Sequence, residues 1–289
     1  MPDQSTAGGE APPPDGFVLA DKPAGKTSHD LTTLVRRGLG VRKAGHAGTL
    51  DPFATGLLIV LVGRARRVQQ FVTALPKEYV AVARFGVVST TGDPEGEITR
   101  TGVLPQGELR LPLGRIRQRP PAYSAVHVDG RRAYERARAG EDVVVPEREV
   151  TIYECEQLWR EDDRLGLRIV CSSGTYIRSL VADLGDAYCE DLRRTRIGPF
   201  SVDDADPAKV IALADALGWF PRATLDGDLA RCAGYGQPVP AQAGILPGPS
   251  AGDLPEPPEE VLLLDEGGPI ALARRLPDGA LKPFVGFRA

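Results

Sequence analysis

An unbroken apolar run covers residues 57–62 and is typical of a strand that other elements cover on both faces. A shorter apolar segment at residues 17–20 predicts a strand before it. Between the two lie apolar positions with helical spacing, namely Leu31, Leu34, Val35 and Leu39. We therefore predict a helix with Ser28 as its N-cap and Gly38 or Gly40 at its end.

The same two periodicities continue through the middle of the chain. Strand patterns cover residues 79–88, 150–159 and 165–171, and the glycines and proline of residues 92–96 predict a turn. A second helical pattern follows the buried strand, with apolar positions at Val68, Phe71, Val72 and Leu75. A third helix, ending at Gly185, is marked by Ile177, Leu180, Val181 and Leu184. These elements predict an α+β fold: a mixed, largely antiparallel sheet with flanking helices.

Local composition divides the chain into segments. Residues 1–15 are rich in proline, glycine and acids and lack the features of a secretion signal, so we expect a disordered leader. Residues 16–223 form the predicted main domain. Within it, residues 118–145 are too polar for a core element and too patterned for a linker, which predicts an ordered insertion. Residues 224–289 predict a small β-rich domain, with a linker at about 241–258.

Charge is distributed unevenly. The net charge of -4 disfavours a nucleic-acid partner when taken alone. However, seven basic residues and one acid, Asp51, lie between residues 36 and 67, and eight arginines face two acids between 110 and 138. Six acids are gathered at 253–266, away from both basic segments. A solvated helix face explains either basic run equally well by itself, so the charge alone does not decide.

Several protein classes are disfavoured by what the sequence lacks. Its four cysteines form no C-x-x-C pair and its three histidines are widely spaced, so we expect neither a metal site nor a disulfide framework. No apolar run approaches the roughly 18 residues of a membrane span, which predicts a cytoplasmic protein. No cofactor motif is evident. No heptads or long apolar stripe call for a partner subunit, so we expect a monomer.

One carboxylate stands in a glycine-rich loop directly before the buried strand. This is Asp51, in the segment GHAGTLDPFATG of residues 45–56. Gly45, Gly48 and Gly56 permit positive φ and close backbone approach, and Pro52 restricts the backbone after the aspartate. Asp-Pro alone is more typical of an ordinary turn. A loop supported by a rigid strand is also where catalytic groups are found.

Four segments, in order, resemble the motifs of the TruB family, the tRNA pseudouridine-55 synthases. They are GFVLADKPAGKTS at 16–28, GHAGTLDPFATG at 45–56, QRPPAYSAV at 118–126 and SGTYIRSL at 173–180. The resemblance covers about residues 16–200. It implies the pseudouridine synthase fold and, for the small C-terminal domain, a PUA-like RNA-binding module.

The resemblance also implies catalytic roles. Asp51 matches the catalytic aspartate, and Arg178 matches the arginine that pairs with it. Tyr79 matches the tyrosine that packs on the target base and takes part in proton transfer at C5. The alternatives are a turn aspartate, a solvated helix arginine and a core aromatic.

Further residues are assigned to RNA binding by the same resemblance. His46 matches a loop histidine that fills the space left by flipped nucleotides, and Tyr176 lines the pocket. Lys22 and Pro23 match the block that supports the active-site loop. The alternatives are a surface histidine, a buried helix tyrosine and a solvated lysine.

The insertion departs from the family at one position. Where the family usually has lysine after Tyr-Ser-Ala, this chain has His127, which weakens a phosphate contact or makes it pH-dependent. Arg131 and Arg132 follow closely and are expected to compensate.

The resulting hypothesis is a stand-alone, cofactor-independent enzyme that isomerises the uridine at position 55 in the T-loop of tRNA. Three rivals remain. A non-catalytic RNA-binding module would need only the basic surface. A catalytic subunit of a guide-RNA complex would need a partner, although the insertion favours direct RNA binding without a guide RNA. A glycoside hydrolase would need a second carboxylate, for which the sequence has no matching motif.

Overall fold

The computed structural model describes residues 15–124, 126–128, 130–240, 244–250, 254 and 258–288. The strands in this part of the chain are β1 (Gly16–Lys22), β2 (Ala44–Ala47), β3 (Thr55–Val62), β4 (Lys77–Phe85), β5 (Val87–Ser89), β6 (Ile98–Arg100), β7 (Gly114–Gln118), β8 (His127–Val128), β9 (Arg131–Arg132), β10 (Arg148–Glu161), β11 (Arg164–Cys171), β12 (Ala187–Ile197), β13 (Phe200–Ser201), β14 (Ile211–Ala212), β15 (Arg222–Thr224), β16 (Val261–Asp265), β17 (Gly268–Arg275) and β18 (Leu281–Gly286).

The helices are fewer and mostly short. They are α1 (Ser28–Gly38), α2 (Gln69–Ala74), α3 (Ala133–Arg138), α4 (Ile177–Ala182), α5 (Leu213–Ala216) and α6 (Gly227–Gly234), with 3-10 turns at Gly63–Val68 and Val202–Asp204. Among the described residues, no helix is long and apolar enough to span a membrane.

A large sheet organises the main domain. Its strand order is β14-β1-β3-β12-β4-β11-β10-β7, with β2 paired to β3 and β13 paired to β12. The contact between β3 and β12 is parallel, whereas the others in this sheet are antiparallel. The prediction of an α+β fold with a mixed, largely antiparallel sheet is therefore confirmed.

Strand β3 is covered on both faces, as its apolar run predicts. Leu57, Ile59 and Leu61 belong to a core shared with α5 and the C-terminal region. Leu58 and Val60 lie on the other face with residues of α1. All five side chains are fully buried, so β3 is a rigid support for the loop that precedes it.

The predicted N-cap of α1 is wrong by one residue. Thr27 is the N-cap, and it forms a capping box with Asp30: the threonine side chain accepts from the Asp30 amide, and the Asp30 carboxylate accepts from the Thr27 amide. Ser28 is the first helical residue, and its hydroxyl serves a different purpose. It contacts Leu50, which directly precedes Asp51.

The C-terminal region forms a small sheet of order β15-β16-β17-β18. This sheet has a core of its own, but Leu262, Leu272 and Phe287 join the core that contains Phe17 and Phe220 of the main domain. Continuous apolar packing therefore links the two parts of the chain.

The predicted leader and linker are described only in part. Residues 1–14 lie outside the described residues, and the Asp15 carboxylate accepts a hydrogen bond from the Arg64 amide at 2.6 Å. Within the predicted linker, residues 241–243, 251–253 and 255–257 lie outside them as well. Leu246 forms a β-bridge with Arg222, so this part of the segment is tied to the first strand of the small sheet.

The insertion at 118–145 contains the β8–β9 hairpin and helix α3. Its amides are partly satisfied within the segment, since Ala133 donates to the Val126 carbonyl and Tyr134 donates to the Ser124 carbonyl. The insertion is thus an ordered segment, and it connects β7 to β10 along the chain.

Candidate active site

Asp51 lies in the loop between β2 and β3, which pair as an antiparallel hairpin. Gly48 and Gly56 adopt positive φ values of 87° and 105°. A Cβ atom at Gly56 would lie 2.2 Å from the Arg194 carbonyl oxygen, so this position requires glycine. Gly45 has ordinary backbone angles and room for a side chain. Of the three glycines, Gly48 and Gly56 thus have the predicted positive φ, and Gly56 alone has the predicted close backbone approach.

Lys22 holds this loop from the end of β1. Its side chain is fully buried, and its ammonium group donates to the carbonyls of Pro23, Lys26 and Pro52 at 3.0, 2.7 and 3.1 Å. These three bonds use all donors of the ammonium group. Burial lowers the pKa of Lys22, and the Asp51 charge opposes that shift. Lys22 therefore fixes the residue after Asp51, whereas Pro23 is exposed and offers its carbonyl.

Ser28 holds the residue before Asp51. Its hydroxyl accepts from the Leu50 amide at 2.9 Å and donates to the Leu50 carbonyl at 3.2 Å. Because Ser28 is 2% exposed, this clamp is shielded from water. Asp51 is thus bracketed by two buried side chains, one acting on each neighbour in the chain.

Arg178, in the first turn of α4, joins Asp51 to a second carboxylate. Its Nε lies 2.8 Å from Asp51 Oδ2, and its Nη1 lies 3.0 Å from Asp93 Oδ2. The arginine and Asp93 are almost fully buried, whereas the Asp51 side chain is 32% exposed. Arg178 also donates to the carbonyls of Thr91 and Tyr123. Asp51 is therefore the member of the triad that an approaching molecule can reach.

The pKa of Asp51 is raised above its ordinary value. Burial among the surrounding residues is the main cause, and the Arg178 charge opposes it. Asp93 adds to the rise because it repels a second negative charge and shares the same guanidinium. The pKa of the neighbouring Glu95 is also raised, first by burial and then by both aspartates.

The sequence prediction missed Asp93. It lies in the segment predicted only as a turn, and its carboxylate does make turn contacts with Thr91 and the Glu95 amide. The same carboxylate also reaches Arg178. A turn pattern cannot reveal this second contact, because the two residues are distant in the chain.

Tyr79 lies on β4 and is 8% exposed. It packs in the core beneath the site with Leu50, Ala54 and Ile177, which is consistent with both the catalytic and the core interpretation. Burial raises the pKa of its phenol, while the charge of Arg194 opposes the shift. Asp51 is close enough to affect the same phenol.

His46, on β2, is half-buried. Its Nδ1 atom is buried without a hydrogen-bond partner in the described part of the chain. Burial lowers its pKa, and the charges of Arg194 and His29 add to that effect. The imidazole therefore has an unused polar atom, which is suited to contact with a ligand.

Tyr176 directly precedes α4, and its backbone is held by the base of the insertion. Gln118, which is 1% exposed, donates to the Tyr176 carbonyl at 2.9 Å and accepts from its amide at 2.8 Å. The Arg148 guanidinium lies 5.3 Å from the Tyr176 ring centroid. Ser179 also donates to the Arg119 carbonyl at 2.9 Å. The insertion is thus anchored to the helix that carries Arg178.

Arg131 and Arg132 form β9 and are exposed. Arg131 pairs with Glu141 at 2.8 Å, and Arg136 contacts the other oxygen of the same carboxylate at 2.6 Å. His127, on β8, is exposed and lies opposite Arg132 in the hairpin. Arg131, Arg132 and His127 therefore lie at the surface of the insertion.

In chemical terms, Asp51 presents an accessible carboxylate, the buried Arg178 guanidinium lies beside it, and the Tyr79 phenol lies in the adjoining core. The described residues contain no cluster of histidine, cysteine or acidic side chains arranged to hold a metal ion.

Comparison with known families and proteins shows what the chain is similar to. The model of the family "TruB family pseudouridylate synthase (N terminal domain)" matches residues 36–177. A tRNA pseudouridine synthase B of Corynebacterium glutamicum is 45% identical over 213 residues, which cover 68% of this chain and 71% of that protein. A protein of the same name from an Arthrobacter species is 36% identical over 286 residues, or 88% of this chain and 94% of that protein.

Solved structures show the same fold. A crystal structure of a Cbf5–Nop10–Gar1 complex matches with a TM-score of 0.68 and 25% identity, covering 94% of this chain and 84% of that chain. An H/ACA RNP bound to a substrate RNA containing 2'-deoxyuridine matches with a TM-score of 0.66 and 23% identity, covering 95% of this chain and 85% of that chain. The predicted pseudouridine synthase fold is confirmed.

Proposed function

The chain belongs to the TruB family of pseudouridylate synthases, and on this premise we propose that it isomerises the T-loop uridine of tRNA, at position 55, to pseudouridine. It acts alone, without a guide RNA or a cofactor. The observation that carries the proposal is the accessible Asp51 carboxylate held 2.8 Å from the buried Arg178 guanidinium.

The reaction needs little besides a well-held carboxylate. The N1–C1' bond breaks, the base turns and C5 joins C1'; C5 loses a proton and N1 gains one, so the composition is unchanged. Asp51 serves either by attack on the sugar or by stabilising and deprotonating it. Arg178 keeps the carboxylate ionised and oriented, and Tyr79 supports the base. Stacking of about 1–3 kcal/mol offsets the few kcal/mol needed to flip a base out of RNA.

The substrate class follows from the relatives and from charge. Proteins named tRNA pseudouridine synthase B match most of this chain, which supports tRNA as the substrate. The insertion supports direct RNA binding, because its exposed Arg131 and Arg132 suit contact with phosphates and its base is tied to α4 through Gln118. We expect recognition of the shape of the T-arm rather than of a long sequence.

A second candidate is the catalytic subunit of a guide-RNA complex. Its support is the fold match to a Cbf5–Nop10–Gar1 complex and to an H/ACA RNP. The two candidates differ in one requirement, since a stand-alone enzyme modifies a T-arm without any added RNA or protein.

The test is pseudouridine formation in a synthetic T-arm stem-loop with purified protein, a chelator and no guide RNA. We expect turnover by the wild-type chain and none by Asp51→Asn, which keeps the shape but removes the charge. Asp162→Asn is the matched control, because Asp162 is exposed in the β10–β11 turn and asparagine tolerates its positive φ of 48°. It should retain full activity.

The other outcomes identify the rivals. Equal activity of wild type and Asp51→Asn would remove Asp51 from the mechanism. Tight binding without turnover by either protein would favour a binding module, and turnover that appears only with guide RNA and partner proteins would favour the second candidate.

A further inference from the structure

Arg194 is a buried cation whose partners are neutral. It lies on the central strand β12 and is 1% exposed. In the described part of the chain it forms no ion pair with a carboxylate, and its bonds go to backbone carbonyls. By contrast, Arg178 is balanced by two aspartates. Burying an unpaired charge is costly, so the presence of Arg194 in the core calls for a reason beyond packing.

The guanidinium of Arg194 connects the two ends of the Asp51 loop. Its Nε donates to the Leu57 carbonyl at 2.7 Å, and its Nη2 donates to the Gly48 carbonyl at 3.1 Å. Gly48 precedes Asp51, and Leu57 follows it at the start of the buried strand. The planar guanidinium is a rigid fork of donors, so it holds these two carbonyls in a fixed relation.

The backbone of Arg194 makes a second connection. In the sheet it pairs with Gly56 of β3 on one side and with Tyr79 of β4 on the other. The contact with Gly56 is so close that a Cβ atom there would meet the Arg194 backbone. Arg194 is therefore the residue at which the aspartate loop and the tyrosine strand join.

The side chain also acts on the Tyr79 phenol. The positive charge of Arg194 lowers the pKa of the phenol and so opposes the effect of burial. The charge of Arg194 also lowers the pKa values of His46 and Lys22, so it affects the titration of other residues around Asp51.

We propose that Arg194 is a positioning residue for the reaction, which fixes the Asp51 loop relative to the Tyr79 phenol. The inference rests on the proposed function, because it concerns the same two side chains. It adds a residue from outside the four motifs that resemble the family, on a strand that contacts both catalytic elements.

The test compares Arg194→Met, Arg194→Lys and the control Arg193→Met. Arg193 is the next residue on β12 but is partly exposed and paired with Asp21 at 2.7 Å. Three quantities are measured: the single-turnover rate at saturating enzyme, the affinity for tRNA, and amide hydrogen exchange in residues 48–57. Exchange does not depend on activity, so it tests the inference even if the T-arm is not the substrate.

We expect Arg194→Met to lower the rate by about 100-fold, the cost of a small misplacement of reacting groups, while tRNA affinity changes less than about threefold. Exchange should accelerate in residues 48–57 but not in the C-terminal sheet. Arg194→Lys keeps the charge but reaches fewer carbonyls, so its rate should lie between those of the wild type and Arg194→Met. Arg193→Met should match the wild type. In a Tyr79→Phe background, Arg194→Met should cost at least about tenfold less, because linked residues act non-additively.

Unchanged exchange in the loop would overturn the inference whatever the activity. So would rates of both Arg194 variants near that of the wild type, or a rate loss that is equal with and without the Tyr79 hydroxyl. If Arg194→Met does not fold, Arg194→Lys decides: a wild-type rate with wild-type exchange overturns the inference, and a reduced rate with faster loop exchange supports it.

Discussion

The Asp51 loop and the insertion at 118–145 are held in opposite ways. The loop is fixed by buried side chains that reach it from different elements, namely Lys22, Ser28, Arg178 and Arg194. The insertion is joined to α4 at its base, but its outer contacts are exposed ion pairs such as Arg131 with Glu141. Buried contacts are costly to break, whereas exposed pairs contribute about 0.2–1 kcal/mol each.

This difference separates two tasks. A reacting carboxylate has to be within a fraction of an ångström of its productive position before the substrate arrives, which buried contacts ensure. A surface that grips RNA gains from side chains that can leave one partner for a phosphate at little cost. We therefore expect changes in the loop to act on the chemical step and changes in the insertion to act on affinity.

The largest effect on the Asp51 loop is expected from replacing Arg178. Arg178→Met leaves the Asp51 and Asp93 carboxylates without their shared counterion. We expect the single-turnover rate to fall by about 10³-fold, since both orientation and charge are lost. tRNA affinity, measured by filter binding, should change little.

Arg178→Lys is the matched control because it keeps the charge but cannot contact both aspartates in the same fork. It should recover part of the rate. A loss that falls mainly on affinity in either variant would contradict the separation of tasks.

A smaller effect concerns the charge of Asp51. Its pKa is raised by burial, and the Arg178 charge opposes the rise. If the carboxylate is the reactive form, the rate should fall about tenfold per pH unit below its folded pKa, and the fall should begin at a higher pH than for an exposed aspartate. Glu95→Gln is the control, because the pKa of Glu95 is raised as well. The decrease of the rate at low pH should be retained in Glu95→Gln.

The raised pKa of Asp51 also makes the stability of the fold depend on pH. The folded state binds the Asp51 proton more tightly than the unfolded chain does. Protonation of Asp51 therefore contributes to the stability of the fold below the pKa of the unfolded chain, and this contribution is lost as the pH rises through the pKa of the folded state. Asp51→Asn should thus unfold at an equal or higher temperature than the wild type at neutral pH, and the gap should narrow on acidification. A variant that is less stable at neutral pH would contradict this.

Sequence patterns predicted strands β1, β3, β4, β10 and β11 of the large sheet but missed its central strand, β12. Two register shifts interrupt its pairing with β4, and the buried Arg194 occupies a position where an apolar residue would reveal the alternation. Asp93 escaped prediction for a related reason, because its turn contacts are local and its contact with Arg178 is not. Local patterns predict elements, whereas these two residues are defined by partners distant in the chain.

The motif residues are a different case. The resemblance that pointed to Asp51 and Arg178 also predicted that they pair, and they lie 2.8 Å apart. Their roles in the reaction stay predictions. For Arg131, the structure adds a contact that the sequence pattern did not predict, namely the ion pair with the Glu141 carboxylate.

The smallest effects are expected in the insertion, where they test whether its exposed side chains act on tRNA affinity. Glu141 contacts both Arg131 and Arg136, so tRNA phosphates compete with it for Arg131. Arg131→Gln should weaken tRNA binding by about two- to fivefold, as the loss of one exposed charge contact implies. It should also reduce the slope of log affinity against log salt by about 0.7–0.9.

Glu141→Gln is the informative partner of that change. It removes the competing carboxylate and a negative charge from the surface, so binding should tighten by about two- to threefold while the rate at saturating enzyme stays the same. If Glu141→Gln weakened binding instead, the carboxylate would be needed to hold the insertion in its binding shape. The insertion would then be preorganised like the Asp51 loop, and affinity and chemistry would not be divided between an adaptable segment and a rigid one.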